Sequence, residues 1–192
     1  MTKDQNYKEY IYPVIILTAI ALVTTALLAI TNAISDPIII RNSIAAANAT
    51  RQELLADADG FNDITADSEL ATSPDGSAYI SEVYESTNGT GYVMTAHTTS
   101  FGGDLTMMVG LDAEGAITGV KVTDHADTPG VGTKDQAPEY LAQYQGKTAL
   151  TSDNVKKEAD FAFISGASVS GTAIHKGVAA ALAQYEAIGG GN

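Results

Sequence analysis

From Ile11 to Ile34 the chain reads IYPVIILTAIALVTTALLAITNAI, 24 residues without a charge. As one helix this run would reach about 36 Å, against about 30 Å of bilayer hydrocarbon. It predicts a membrane-spanning helix. A signal peptide carries an apolar region of about 7–15 residues, and this run is longer. Tyr10 and Tyr12 stand at its near edge, where interfacial aromatic belts lie, and Pro13 falls in the first turn, where its missing N–H costs little. Lys3 and Lys8 precede the run while only Arg41 follows closely. That bias predicts a cytoplasmic N-terminus and a main domain outside the cytoplasm. The expected division is a cytoplasmic N-terminus at 1–10, the span at 11–34, a juxtamembrane helix and loop at 35–77, and a folded domain at 78–192.

After the span the period changes twice. Ile44, Ala47, Arg51, Leu54 and Leu55 recur at helical spacing and predict a helix over about 38–58. Residues 57–77 are acidic and rich in Gly, Ser and Asp, and read as loop. Four β-type runs follow at 78–85, 92–99, 104–112 and 116–124, with an Asn-Gly turn signal at Asn88 and Gly89 between the first two. A short helix is expected at 137–145, opening at Pro138. A last helix is expected from about Ser170 to Ile188, with Ile174, Val178, Ala181, Leu182 and Tyr185 on its apolar face. The fold class is α+β: an antiparallel sheet flanked by helices, preceded by one transmembrane helix.

Composition narrows the function. Ten Lys and Arg stand against 23 Asp and Glu, a net charge of −13. A phosphate backbone would be repelled, so nucleic acid is not an expected partner. With no cysteine, disulfides, thiol catalysis and cysteine-ligated iron–sulfur clusters are excluded. His97, His125 and His175 lie far apart and show no metal-ligand spacing. His97 and His125 are expected at strand ends, and His175 on the solvent-facing or phosphate-side flank of the last helix. Met107 and Met108 are expected in the core and on a sheet face.

One stretch gathers small hydroxyl residues where a helix begins: Ser165, Gly166, Ala167, Ser168, Ser170, Gly171 and Thr172. A helix N-terminus offers unpaired N–H groups and a positive dipole end, and small residues let a phosphate approach. A plain Ser-rich cap fits the same residues. A nucleophile elbow does not: G-x-S-x-G around Ser168 needs Gly at 170, where Ser170 stands. No S-x-x-K pattern begins at Ser165, Ser168 or Ser170, and no catalytic residue is assigned.

Two further stretches, SFGGDLTMMVGLDAEGAITGVKV (100–122) and DHADTPGVGTK (124–134), precede ISGAS (164–168). In sequence, order and spacing these resemble the FMN-binding domain family. That family includes the G subunit of the Rnf ion-translocating electron-transport complex and the C subunit of the sodium-pumping NADH:quinone oxidoreductase. The compact length looks more like the former. The resemblance implies a covalent FMN, joined by a phosphoester to the hydroxyl of Ser168, which stands where the family carries Thr. It implies cofactor contacts at Ser165, Gly166, Ala167, Thr128, Gly130 and Lys134, and a separate flavin transferase that makes the bond. The family usually has Asp six residues before the acceptor; Ala162 stands there, with Asp160 two places earlier. The implied function is electron transfer within a membrane complex that couples ferredoxin:NAD+ oxidoreduction to Na+ or H+ movement, alongside other membrane and peripheral subunits. The alternatives are a subunit of the sodium-pumping quinone reductase, or a flavin-free anchored binding module.

Overall fold

A computed structural model describes residues 10–189. The chain divides into two compact units, Met1–Ala47 and Asn48–Asn192. Lys3 and Lys8, on which the expected orientation rests, lie outside the described residues, as does nearly all of the 1–10 segment. Helix α1 spans Tyr12–Leu54. Its first part is apolar on every side, and its hydroxyls turn back onto the helix: Thr18, Thr24 and Thr31 donate to the carbonyls of Val14, Ile20 and Leu27. This satisfies a hydroxyl without water, as a bilayer demands. Length and composition fit a membrane anchor. The span and the juxtamembrane helix, expected as separate pieces, form one helix with Pro37 inside it. Proline's fixed φ is itself helical, so its penalty is one lost hydrogen bond and local crowding, which the Ala-rich turns beyond can carry.

In the second unit five strands form an antiparallel meander in the order β1-β2-β3-β4-β5: β1 Phe61–Asp63, β2 Ala78–Ser86, β3 Gly91–Thr99, β4 Asp104–Asp112 and β5 Ile117–His125. The four β-type runs of the sequence are β2–β5. Strand β1 lies in a stretch expected to be loop, because FND has neither alternation nor β-branched residues. It exists through pairing with β2, Phe61 opposite Ser86 and Asp63 opposite Tyr84. Beyond it, Val83 N–H donates to Thr65 Oγ1 at 2.9 Å.

Strand β4 is buried on both faces, which explains its nearly continuous apolar run. Leu105, Met107, Val109 and Leu111 are fully buried and join the cluster containing Ile174, Val178 and Ala181 of the last helix. Met108 is buried too, as expected. Gly110 and Gly119 are paired across β4 and β5, and a Cβ at either would reach Leu54 at 3.0 Å. The end of α1 is seated there, and Thr118 Oγ1 donates to the Leu54 carbonyl. Arg51 stacks over Tyr84, 3.5 Å from the ring centre.

After β5 come a 3-10 turn (Gly132–Gln136), a short helix α2 (Pro138–Leu141), a second 3-10 turn (Ala142–Tyr144) and a long irregular segment. Helix α3 closes the domain. It runs Ser168–Ala187, two residues earlier than expected, so Ser168 is its first residue rather than part of the preceding loop. Its expected apolar face is buried. The helix lies close on the sheet: a Cβ at Gly177 would meet Met107 Cε at 2.5 Å. His175 is fully buried on α3 and lies on neither of the flanks expected for it. Facing Tyr144 and Phe161, it serves as a core residue.

Candidate functional site

The TPGVG loop leaves β5 and turns at once. Val131 N–H donates to the Thr128 carbonyl at 3.2 Å, and Gly130 sits at φ +77°. That conformation explains the glycine. Asp127, just before the loop, is 4% exposed. Its Oδ1 accepts from Ser100 Oγ at 2.7 Å and from Gly102 N–H at 2.9 Å. Burial alone would raise the Asp127 pKa, but these donors outweigh it and hold the carboxyl below the usual range. Asp127 thereby ties the β3–β4 turn to the loop after β5. Gly132 must be glycine, since a Cβ there would stand 2.9 Å from both Asp127 Cγ and Ser170 Oγ.

Between these elements and the first turn of α3 lies a cavity of about 520 Å³ lined by Phe101, Thr128, Val131, Gly166, Ala167 and Val169 among others. Phe101 is 77% exposed, and Val131 and Val169 are about half exposed. Three such side chains around one polar-backed cleft make a surface suited to a flat apolar ring.

The segment that delivers ISGAS has no regular structure and is held by side chains. Glu158 accepts from Thr151 N–H and Ser152 N–H. His175 Nε2 lies 3.0 Å from the Ser152 carbonyl, and its Nδ1 lies 3.2 Å from Tyr144 Oη. A carbonyl only accepts, so Nε2 carries the proton and Tyr144 donates to Nδ1. Burial pushes the His175 pKa down, consistent with a neutral ring. Gln143 Oε1 accepts from Ala162 N–H. Sequence alone gave no sign of this set, because its members come from four separate stretches.

Ser168 opens a second cavity of about 650 Å³, lined by Ser77, Thr99, Asn154, Lys156, Thr172 and Lys176 among others. Lys176 Nζ donates to Asp75 Oδ2 at 2.5 Å and Ser77 Oγ at 2.9 Å. Two of only ten basic residues thus flank the first hydroxyl of a 20-residue helix. Val169 lines both cavities, so the two are neighbours across the first turn of α3.

The structure therefore brings Thr128, Gly166 and Ala167 together in one lining and puts Ser168 in the adjoining one. Ser165 is exposed just before them, and Gly130 is at the exposed tip of its turn. Lys134 lies outside both linings, exposed on the 3-10 turn that points its neighbour Asp135 inward. The cations near Ser168 are Lys156 and Lys176, which sequence reasoning missed. Lys176 was within reach: Ser168, Thr172 and Lys176 follow one another at i, i+4 and i+8, on one helix face. Lys156 carries no such signal. Among the described residues no cluster of His, Asp and Glu could hold a metal ion.

Residues 100–183 match the model of the FMN-binding domain. The G subunit of the proton-translocating ferredoxin:NAD(+) oxidoreductase complex of Clostridium ljungdahlii is 24% identical over 194 residues, covering all of both chains. The G subunit of the Na(+)-translocating ferredoxin:NAD(+) oxidoreductase complex of Acetobacterium woodii is 29% identical, over 90% of this chain and 89% of that protein. Among solved structures, NqrC of Shewanella oneidensis superposes with a TM-score of 0.45 at 19% identity, over 55% of this chain and 58% of that one. Residues 100–183 are thus similar to FMN-binding domains, and the chain is similar over at least 90% of its length to the G subunits of these two ferredoxin:NAD(+) oxidoreductase complexes.

Proposed function

We propose that this chain is a membrane-anchored electron-transfer subunit carrying FMN esterified through its phosphate to Ser168. It serves a complex that couples ferredoxin:NAD+ oxidoreduction to Na+ or H+ translocation, with the domain outside the cytoplasm. The observation that supports this reading best is the setting of Ser168. Its hydroxyl has no hydrogen-bond partner among the described residues, it stands at the N-terminus of α3, and it shares a cavity with Lys156 and Lys176.

The residues present fit the cofactor. A phosphodiester keeps one negative charge, which the Lys156 ammonium, with Lys176 shared with Asp75, and the unpaired N–H groups of the first helical turn can meet. Ser165, Gly166 and Ala167 keep side chains out of the way of that group. Phe101, Val131 and Val169 offer the apolar surface against which a flavin ring can lie, with Thr128 and the Gly130 turn beside it. Bound FMN supplies a carrier that takes electrons one or two at a time. The chain positions that carrier, excludes water from part of it and fixes the local charge. Ser168 needs no activating base in the chain, because a separate flavin transferase makes the ester. The other subunits must supply the electron route across the membrane, since the described residues of helix α1 hold no cluster of metal ligands.

The experiment is intact-mass measurement of the protein from its native membranes, with peptide mapping of residues 157–176. A gain of one FMN less one water on Ser168 is expected, together with its loss in Ser168→Ala. Covalent flavin retained in that variant would move the attachment to another hydroxyl. Ser170 is a poor substitute at 1% exposure, which leaves Thr172.

A further inference from the structure

Beneath the first turn of α3 lies a carboxyl group that nothing in the mechanism above uses. Asp135 is fully buried, and neither of its oxygens has a hydrogen-bond partner. It is packed against Gly171: a Cβ there would stand 2.8 Å from Asp135 Oδ2 and 3.0 Å from Tyr140 Oη. The Gly171 N–H faces the carboxyl but donates to the Ala167 carbonyl at 3.0 Å. Tyr140 Oη and Ser170 Oγ are likewise buried without partners. Asp135 of the 3-10 turn and Tyr140 of α2 thus meet at Gly171 of α3, while Ser170 Oγ lies beside Asp127 and Gly132.

The surroundings offer no counter-charge. Among the described residues no Lys, Arg or His pairs with Asp135. The charged neighbour facing it is Asp127, from the loop after β5, which opposes ionisation. Lys134 on its own turn is exposed. α2 contributes Tyr140 and α3 contributes Ser170 and Gly171, all neutral. A buried acid in this position holds its proton unusually well, and burial, with help from Asp127, pushes its pKa up to about 6. Its ionisation is therefore poised to respond to any further negative charge nearby. Ser170, Gly132 and Asp127 also line the cavity that contains Phe101, so the cluster backs directly onto the proposed ring site.

Resting on the flavin reading above, we propose that Asp135 is a redox-linked proton site of this subunit. When the FMN on Ser168 accepts an electron from a one-electron donor, Asp135 binds one proton from water and its carboxylate becomes a carboxylic acid. When the electron leaves, the proton is released. The new negative charge on the flavin is matched by the proton, so the site gains no net charge. A negative charge gained in the adjoining cavity would raise the proton affinity of a carboxyl buried in low-dielectric protein.

The test uses the full-length flavinylated protein in detergent, with intact mass confirming the flavin first. Redox-difference infrared spectra should show a carboxylic-acid C=O band that appears on reduction, shifts when aspartate labelled with carbon-13 in its carboxyl is supplied, and vanishes in Asp135→Asn. Spectroelectrochemical titration should show a midpoint potential that falls more steeply with pH in the wild type than in Asp135→Asn, over a window beginning near pH 6. A flavinylated wild type with no label-sensitive acid band overturns the proposal and leaves the flavin reading intact. So do identical pH slopes in the two proteins. A chain that never carries flavin in transferase-containing cells overturns both. The labelled wild-type spectrum decides the matter even where the variant does not fold.

Discussion

Asp135→Asn should make the domain more stable at neutral pH, although it removes a buried group from a tightly packed place. The pKa of Asp135 rises from an ordinary 3.8 to about 6 on folding. Two decades of proton affinity at about 1.36 kcal/mol each make ionised Asp135 cost the fold about 3 kcal/mol above pH 6. Asparagine has nearly the same shape and no charge to desolvate. Its amide can use the free Tyr140 hydroxyl, and imperfect pairing costs about 1 kcal/mol, leaving a gain of about 2 kcal/mol. The sign with pH follows from the raised folded pKa. The wild type enjoys the full contribution of this group below the unfolded pKa near 4, and loses it as pH rises through about 6. The advantage of the variant should therefore be present at pH 7.5 and gone near pH 4. Urea unfolding of the full chain in detergent, followed by circular dichroism at the two pH values, measures both. An Asp135→Asn protein no more stable than wild type at pH 7.5 would refute the argument, as would a gain that persists unchanged at pH 4.

Three other outcomes follow from the same geometry. Asp127→Ala strands the Gly102 N–H and loosens the tie between two loops; two bonds to a charged acceptor predict a loss of about 3 kcal/mol in the same urea assay, with Asp127→Asn in between. The folded pKa of His175 is lowered, so its contribution is complete above about pH 6.5 and lost as pH falls through the folded value; His175→Ala should remove that acid sensitivity and cost about 3 kcal/mol through the cavity and the orphaned Tyr144 hydroxyl, read from unfolding at pH 5 and 7.5. Replacing Lys156 and Lys176 together by Gln should lower the flavinylated fraction measured by intact mass several-fold, whereas Lys134→Gln should leave it unchanged.

The anchor, the β2–β5 meander and the apolar face of α3 were legible because each depends on a local period. A charge-free run, β-type runs bounded by turn residues and an i, i+3, i+4 stripe can each be read from neighbouring residues alone. The order of SFGG, TPGVG and ISGAS marked the part of the chain that lines the two candidate cavities, Ser168 among it. Strand β1 was not legible, since three polar-leaning residues become a strand only when β2 supplies the partner. Nor was the continuity of α1 through Pro37, where flanking helix formers outweigh one lost bond. His175 was misplaced because a histidine's burial depends on donors and acceptors from distant stretches, here Ser152 and Tyr144. Lys134, expected near the phosphate by its place in the motif, lies outside both cavity linings on an exposed 3-10 turn that buries its neighbour Asp135. Lys156 lines the same cavity as Ser168 from an irregular segment that has no period to read. The sequence by itself determined the apolar span, the four longer strands and the apolar face of the last helix, while it placed the start of that helix two residues late, at Ser170 rather than Ser168. The tertiary structure alone decided which charges surround the Ser168 hydroxyl, because burial and counter-charge are set by contacts between segments that local patterns do not describe.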